Sequence, residues 1–156
     1  MADHTLYLPK TIPADLKLPV LVWGEGGCQS NGIQFLSLLN QISSHGIFVI
    51  ANGPPGGTGQ TKASMLKDSI DWVVKNAGQG KYANVDATRI AAAGQSCGGV
   101  EAYEMRDDPR VTALGIFNSG EMTEAESKKV APTIKKPIFF FLGGSSDVAY
   151  VNVSWF

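Results

Sequence analysis

Ser96 is the residue around which chemistry can be built. It lies in Arg89-Ile-Ala-Ala-Ala-Gly-Gln-Ser-Cys-Gly-Gly-Val100, a short apolar run that ends in a serine framed by Gly94 and Gly98. The pattern is G-x-S-x-G, the nucleophile elbow, in which a strand turns sharply into a helix and holds a hydroxyl clear of the backbone. On so tight a turn, side chains two positions either side of the serine would collide with the neighbouring strand and helix, which gives both glycines a steric job. The blander reading is a turn serine in a Gly-rich loop. Cys97 invites a thiol nucleophile, but the register of the elbow centres on Ser96 and leaves the cysteine one position late. A second polar group, Asp147, closes Gly143-Gly-Ser-Ser-Asp147; it can orient a base or cap its own turn.

The elements needed to position these groups are legible along the chain. Before the elbow, Asp86-Ala-Thr-Arg89 reads as a turn and Ile90–Ala93 as a small, fully apolar strand of the kind buried in a parallel sheet. After it, Gly99–Arg106 reads as a helix broken at Asp107-Asp-Pro109. From the start of the chain, Thr5–Leu8 is strand-like, and Pro13 and Pro19 hold the next segment in a loop. Pro19–Trp23 is a second strand that runs into Gly24-Glu-Gly-Gly-Cys28, a loop with backbone N–H groups free to face an anion. Phe35, Leu36, Leu39 and Ile42 recur at helical spacing over Asn31–His45, with Ser30 or Asn31 as N-cap and Gly46 as terminator. Ile47–Ala51 is a third strand; Leu66, Ile70, Val73 and Ala77 then mark a helix over Lys62–Ala77. Val111–Phe117, a polar helix over Thr123–Val130 and the strand Pro137–Leu142 complete the series. This alternation predicts a three-layer α/β/α sandwich with a mostly parallel sheet. Sites in such sheets form at the carboxyl ends of strands, where the loop after Trp23, the elbow and the Asp147 turn all fall.

With 156 residues, 44% of them hydrophobic and 17% charged, the chain is expected to form a single domain, residues 1–156, with a substantial core. A net charge of -1 predicts no electrostatic attraction to nucleic acid or an anionic membrane. No run is long and apolar enough for a membrane span, and Met1-Ala-Asp-His4 is not the start of a secretory signal. The expected compartment is therefore cytoplasmic by default, or extracellular if the amino terminus is processed or incomplete. The loop Asn52-Gly-Pro-Pro-Gly-Gly-Thr-Gly-Gln-Thr61 looks like a phosphate-binding loop but lacks the lysine that must follow its last glycine; Gln60 stands there. It reads instead as a surface loop bordering a cleft. Cys28 and Cys97 are too few and too far apart for a zinc site, so no metal is expected.

Taken together, Leu18-Pro-Val-Leu-Val-Trp-Gly-Glu-Gly-Gly-Cys28, His45-Gly-Ile-Phe-Val-Ile50, Asp86-Ala-Thr-Arg-Ile-Ala-Ala-Ala-Gly-Gln-Ser-Cys-Gly-Gly99 and Gly143-Gly-Ser-Ser-Asp147 resemble the α/β-hydrolase superfamily. The likeness is greatest to fungal serine-hydrolase or esterase-like members, more distantly to dienelactone hydrolases, and covers about residues 5 to 150. It implies a serine hydrolase acting on small carboxylic esters without metal or organic cofactor. Ser96 would be the nucleophile and Asp147 the acid that orients a histidine. The backbone N–H groups of Cys97 and of Glu25, with Gly26 as the alternative to Glu25, would form the oxyanion hole. Glu25 would serve through its backbone only; the alternative is that its carboxylate is a solvated loop charge. If both loops serve one oxygen, their backbones lie close and Cys28 and Cys97 become candidates for a disulfide; two buried free thiols are the alternative.

Histidine is where the chain departs from the pattern. Attack by a serine hydroxyl needs a base to take its proton and return it to the leaving group. His4 is expected at a frayed terminus and His45 at the opposite edge of the sheet. In the family the base follows the acid on a loop after one more strand, whereas this chain stops nine residues past Asp147. The resemblance therefore implies a hydrolase fold incomplete at its carboxyl end, lacking the final strand, helix and histidine loop. Ile138–Leu142 would then be an exposed edge strand open to self-association. The rival expectation is a catalytically silent α/β domain that binds a small ligand or partner protein in the same cleft.

Overall fold

The computed structural model describes residues 1–156. Its strands are β1 (His4–Tyr7), β2 (Leu18–Gly24), β3 (Phe48–Asn52), β4 (Val85–Gln95), β5 (Val111–Phe117) and β6 (Ile138–Phe141). Its α-helices are α1 (Leu36–Ser44), α2 (Ala63–Asn76), α3 (Cys97–Tyr103) and α4 (Glu124–Val130), with short 3₁₀ turns between them. The strands form one six-stranded sheet in the order β1-β3-β2-β4-β5-β6. All neighbours are parallel except β1, which runs antiparallel to β3 at the edge. The mostly parallel α/β class expected from the alternation of elements is the class found.

Alternation along the central strands assigns the two faces. Val20 and Val22 of β2 join the larger core with Leu66, Ile70 and Val73 of α2 and Ala102 and Tyr103 of α3. Trp23 points the other way and packs with Leu39 of α1, Val49 and Ala51 of β3 and Ala93 of β4. All five residues of β3 are buried, as a strand covered on both faces must be.

Several boundaries move for identifiable reasons. Pro19 lies inside β2, and the pairing with β4 shifts register between Leu18 and Val20. Proline has no N–H to give the ladder, so a bulge is where a strand can hold it. The expected turn at Asp86 sits within β4: Asp86 Oδ1 accepts from the Thr88 amide at 2.9 Å, and the strand pairs again regularly from Ile90. α1 begins at Leu36 rather than Asn31 because Gly32 is wedged against Thr5 and the Gly53 carbonyl, leaving no room for a helical turn of larger residues there. Residues Tyr150–Trp155 form a 3₁₀ helix that no apolar periodicity announced. No helix is long and apolar enough to cross a membrane.

Candidate active site

β4, the strand between β2 and β5, delivers Ser96 to the carboxyl edge of the sheet. Ser96 has φ 52° and ψ -119°, a conformation that a residue with a Cβ rarely adopts. Backbone hydrogen bonds hold it there. Its N–H donates to the Phe117 carbonyl at 2.9 Å, and its own carbonyl accepts from the Gly99 amide at 2.9 Å and the Ser119 hydroxyl at 2.6 Å.

The glycines around it let three backbones touch. A Cβ on Gly24 would stand 2.6 Å from the Gly98 carbonyl oxygen, one on Gly94 would stand 2.9 Å from the Gly24 carbonyl oxygen, and one on Gly98 would stand 2.7 Å from the Glu25 nitrogen. Each is closer than a carbon can sit, so the end of β2 and the first turn of α3 meet only because all three lack side chains. Cys28 and Cys97 form a disulfide across the same junction, with Cα atoms 5.2 Å apart. The alternative of two free thiols does not apply, and Cys97 has no thiol with which to compete with Ser96.

Glu25 differs from expectation. Its carboxyl is fully buried, not a solvated loop charge: Trp23 Nε1 donates to Oε2 at 3.2 Å, and Oε1 has no partner. Burial, reinforced by the nearby Glu101 carboxylate and only partly offset by the Trp23 bond, pushes this acid up to about 8. Glu101, on α3, is buried too and accepts from Thr61 Oγ1 at 2.8 Å and Asn52 Nδ2 at 3.2 Å. Gly26 is buried with the Gln34 and Gln95 side chains against its open face. The glycine loop after Asn52 docks on the Cys28 loop, with Ser30 N–H donating to the Gly59 carbonyl at 3.0 Å and Thr61 N–H to the Cys28 carbonyl at 2.7 Å. It braces that loop and does not line the cleft at Ser96.

Asp147 is tied to the end of β5. Asn118 Nδ2 donates to its Oδ2 at 2.6 Å, and the amides of Ala149 and Gly143 donate to the same carboxylate at 3.0 and 3.2 Å. The backbone N–H of Ala149 first, then Asn118, holds this acid below the usual carboxylate range, so it is anionic at neutral pH. Asp147 thus caps its own turn and anchors that turn to β5.

A cleft of about 580 Å³ opens beside Ser96, lined also by Cys97, Asn118, Ser119, Val151 and Trp155. Asn118, at φ 45° in the first position after β5, is a residue the sequence reading missed; its type and place at a strand's carboxyl end are the signal that marks it.

Neither histidine is in the cleft. His4 is not frayed: it opens β1, is 5% exposed, and has its ring nitrogens 2.9 Å from Asp3 Oδ1 and 3.1 Å from the Met65 carbonyl. Both ring nitrogens are thus engaged by partners outside the cleft. Strands β3 and β2 separate it from β4, roughly 14 Å at ordinary strand spacing. His45 caps the end of α1, away from the carboxyl edge, and pairs with Gln41 at 3.0 Å. No group of three or more His, Cys, Asp and Glu side chains is placed to hold a metal ion.

Set against protein-family models and against curated proteins, the chain matches none. What the fold and site define is an α/β protein with a strained serine and a disulfide at the carboxyl edge of its sheet.

Proposed function

We propose that the chain is the core of a serine hydrolase of α/β-hydrolase type, acting on carboxylic esters through an acyl-enzyme on Ser96. The observation that carries this reading is the backbone of Ser96, held at φ 52° at a strand-to-helix turn with a cleft beside it. A serine that only filled a turn would gain nothing from a conformation that glycine adopts without strain. The sheet order, with one antiparallel strand at its edge, supports the same reading.

In this mechanism the Ser96 hydroxyl attacks the ester carbonyl, and the amides of Cys97 and of Glu25, or Gly26, stabilise the charge that develops on its oxygen. The alcohol leaves with the serine proton, and water then releases the acid and restores Ser96. The disulfide keeps the two amide-bearing loops together. Asp147 would orient a base, but neither histidine of these residues lines the cleft. Losing the base from a cooperating triad costs on the order of 10⁶ in turnover. The chain is therefore expected to be a very weak esterase by itself.

The test is chemical rescue. Hydrolysis of a short-chain nitrophenyl ester is measured with and without free imidazole, in the native chain and in Ser96→Ala. Imidazole should raise the rate of the native chain well above that of the variant; equal rates in both would contradict the reading. The second reading, a non-catalytic domain that binds a small ligand or partner protein in this cleft, is favoured by the same distance of both histidines and predicts equal rates.

A further inference from the structure

Ser96 lines a cleft whose chemistry is one-sided. None of its twelve lining residues is charged. Its polar side chains are also largely committed elsewhere: the Asn118 amide donates to Asp147, and the Ser119 hydroxyl donates to the Ser96 carbonyl. An incoming group therefore meets mainly Val100, Met122, Val148, Val151 and Trp155. Of these, Met122 is 73% exposed, Val148 92% and Val151 51%, which leaves apolar surface in water around the mouth. Covering such surface favours binding in proportion to the area removed from solvent. A charged group in the same place would lose hydration and find no counter-ion, and the anionic Asp147 stands next to the wall residue Val148. At about 580 Å³ the cleft falls within the range of roughly 300 to 1,000 Å³ that encloses drug-sized ligands.

We propose, resting on the reading of Ser96 as nucleophile, that this cleft is an acyl-binding site selecting esters of uncharged, apolar acyl chains and rejecting acyl groups that carry a carboxylate. The residues that set the preference are Met122, Val151 and Trp155. Gly120 supports them: a Cβ there would stand 2.7 Å from Asn152 Cβ, so the 148–155 wall packs onto the strand-end loop at a point open only to glycine.

Binding and chemistry can be measured apart. Linear primary amides from acetamide to octanamide are titrated into Ser96→Ala, following tryptophan fluorescence, with Trp155→Phe identifying the signal of the cleft. Affinity should rise about fourfold for each methylene that enters, the equivalent of roughly 0.8 kcal/mol per buried CH₂. A monoamide of a dicarboxylic acid of equal length should bind at least tenfold more weakly, and Val151→Asp should flatten the chain-length series. Affinity independent of chain length, or equal for the carboxylated amide, would overturn the proposal. In a second arm, with free imidazole supplying the base, alkyl fluorophosphonates of the same lengths react with the chain carrying Ser96. Labelling that accelerates with chain length supports both readings. A normal amide series without labelling upholds the cleft and removes the nucleophile, whereas labelling at one rate for every length removes the cleft's selectivity and keeps the nucleophile.

Discussion

The Glu25 carboxyl has no solvent contact, one hydrogen bond from Trp23 and one oxygen without a partner. An acid so placed keeps its proton in the folded chain at pH values where the unfolded chain has lost it. With its ordinary value of 4.5 raised to about 8, the unfolded state binds fewer protons through that window, and stability falls as pH rises across it and levels off above it. Glu25→Gln keeps an acceptor for Trp23 and has no proton to lose. The variant should gain up to a few kcal/mol over the native chain at the alkaline end and lose most of the slope; urea unfolding midpoints across the window measure both, and parallel slopes would contradict the account. The burial of Glu25 was not legible, since a glutamate between glycines looks like any exposed loop charge. Ser96 was legible because its glycines impose a steric requirement that survives in sequence as spacing. His4 was misjudged because nothing in Met1-Ala-Asp-His4 shows that β1 starts there and turns the ring onto α2.

At the scale of elements, the β2–α3 junction sets the geometry on which the proposed site depends. Gly24, Gly94 and Gly98 let the backbones touch, and the disulfide between Cys28 and Cys97 closes a separation of 69 residues around that contact. A loop of that size stabilises the fold by roughly 4 kcal/mol in the chain-entropy model. Denatured, unreduced protein should therefore show no free thiol, and reduction by a dithiol should lower the melting temperature by several degrees; two thiols per chain would contradict the bridge. The pair was legible only through the expectation that two loops converge on one oxygen, since spacing alone does not pair cysteines. The 3₁₀ helix at Tyr150–Trp155 was not, because Tyr-Val-Asn-Val-Ser-Trp has no amphipathic period; its tertiary contacts select it. Asn118 escaped for a related reason: its role lies in a bond to a residue 29 positions away.

Across the whole molecule, α1 covers the face of the sheet near β1, β3 and β2, and the same face of β6 is left open. Ile138 and Phe140 pack against the larger core, whereas Phe139 is 58% and Phe141 48% exposed, with Phe141 stacked on Phe117 at 4.2 Å. An apolar edge strand of this kind is a template for pairing with another chain. The chain should self-associate with rising concentration, and Phe139→Lys should reduce that association; sedimentation that is concentration-independent in both proteins would contradict it. The order of strands and helices was legible from apolar runs and glycine stops, since parallel strands buried on both faces leave that signature. In the proposed function this architecture presents Ser96 as a nucleophile. The most direct measurement is reaction with a fluorophosphonate in the presence of free imidazole, which stands in for the base that neither histidine supplies, followed by mass mapping of the modified peptide. A single adduct on Ser96, absent in Ser96→Ala, is the result expected; an adduct elsewhere, or one that survives in Ser96→Ala, would contradict it.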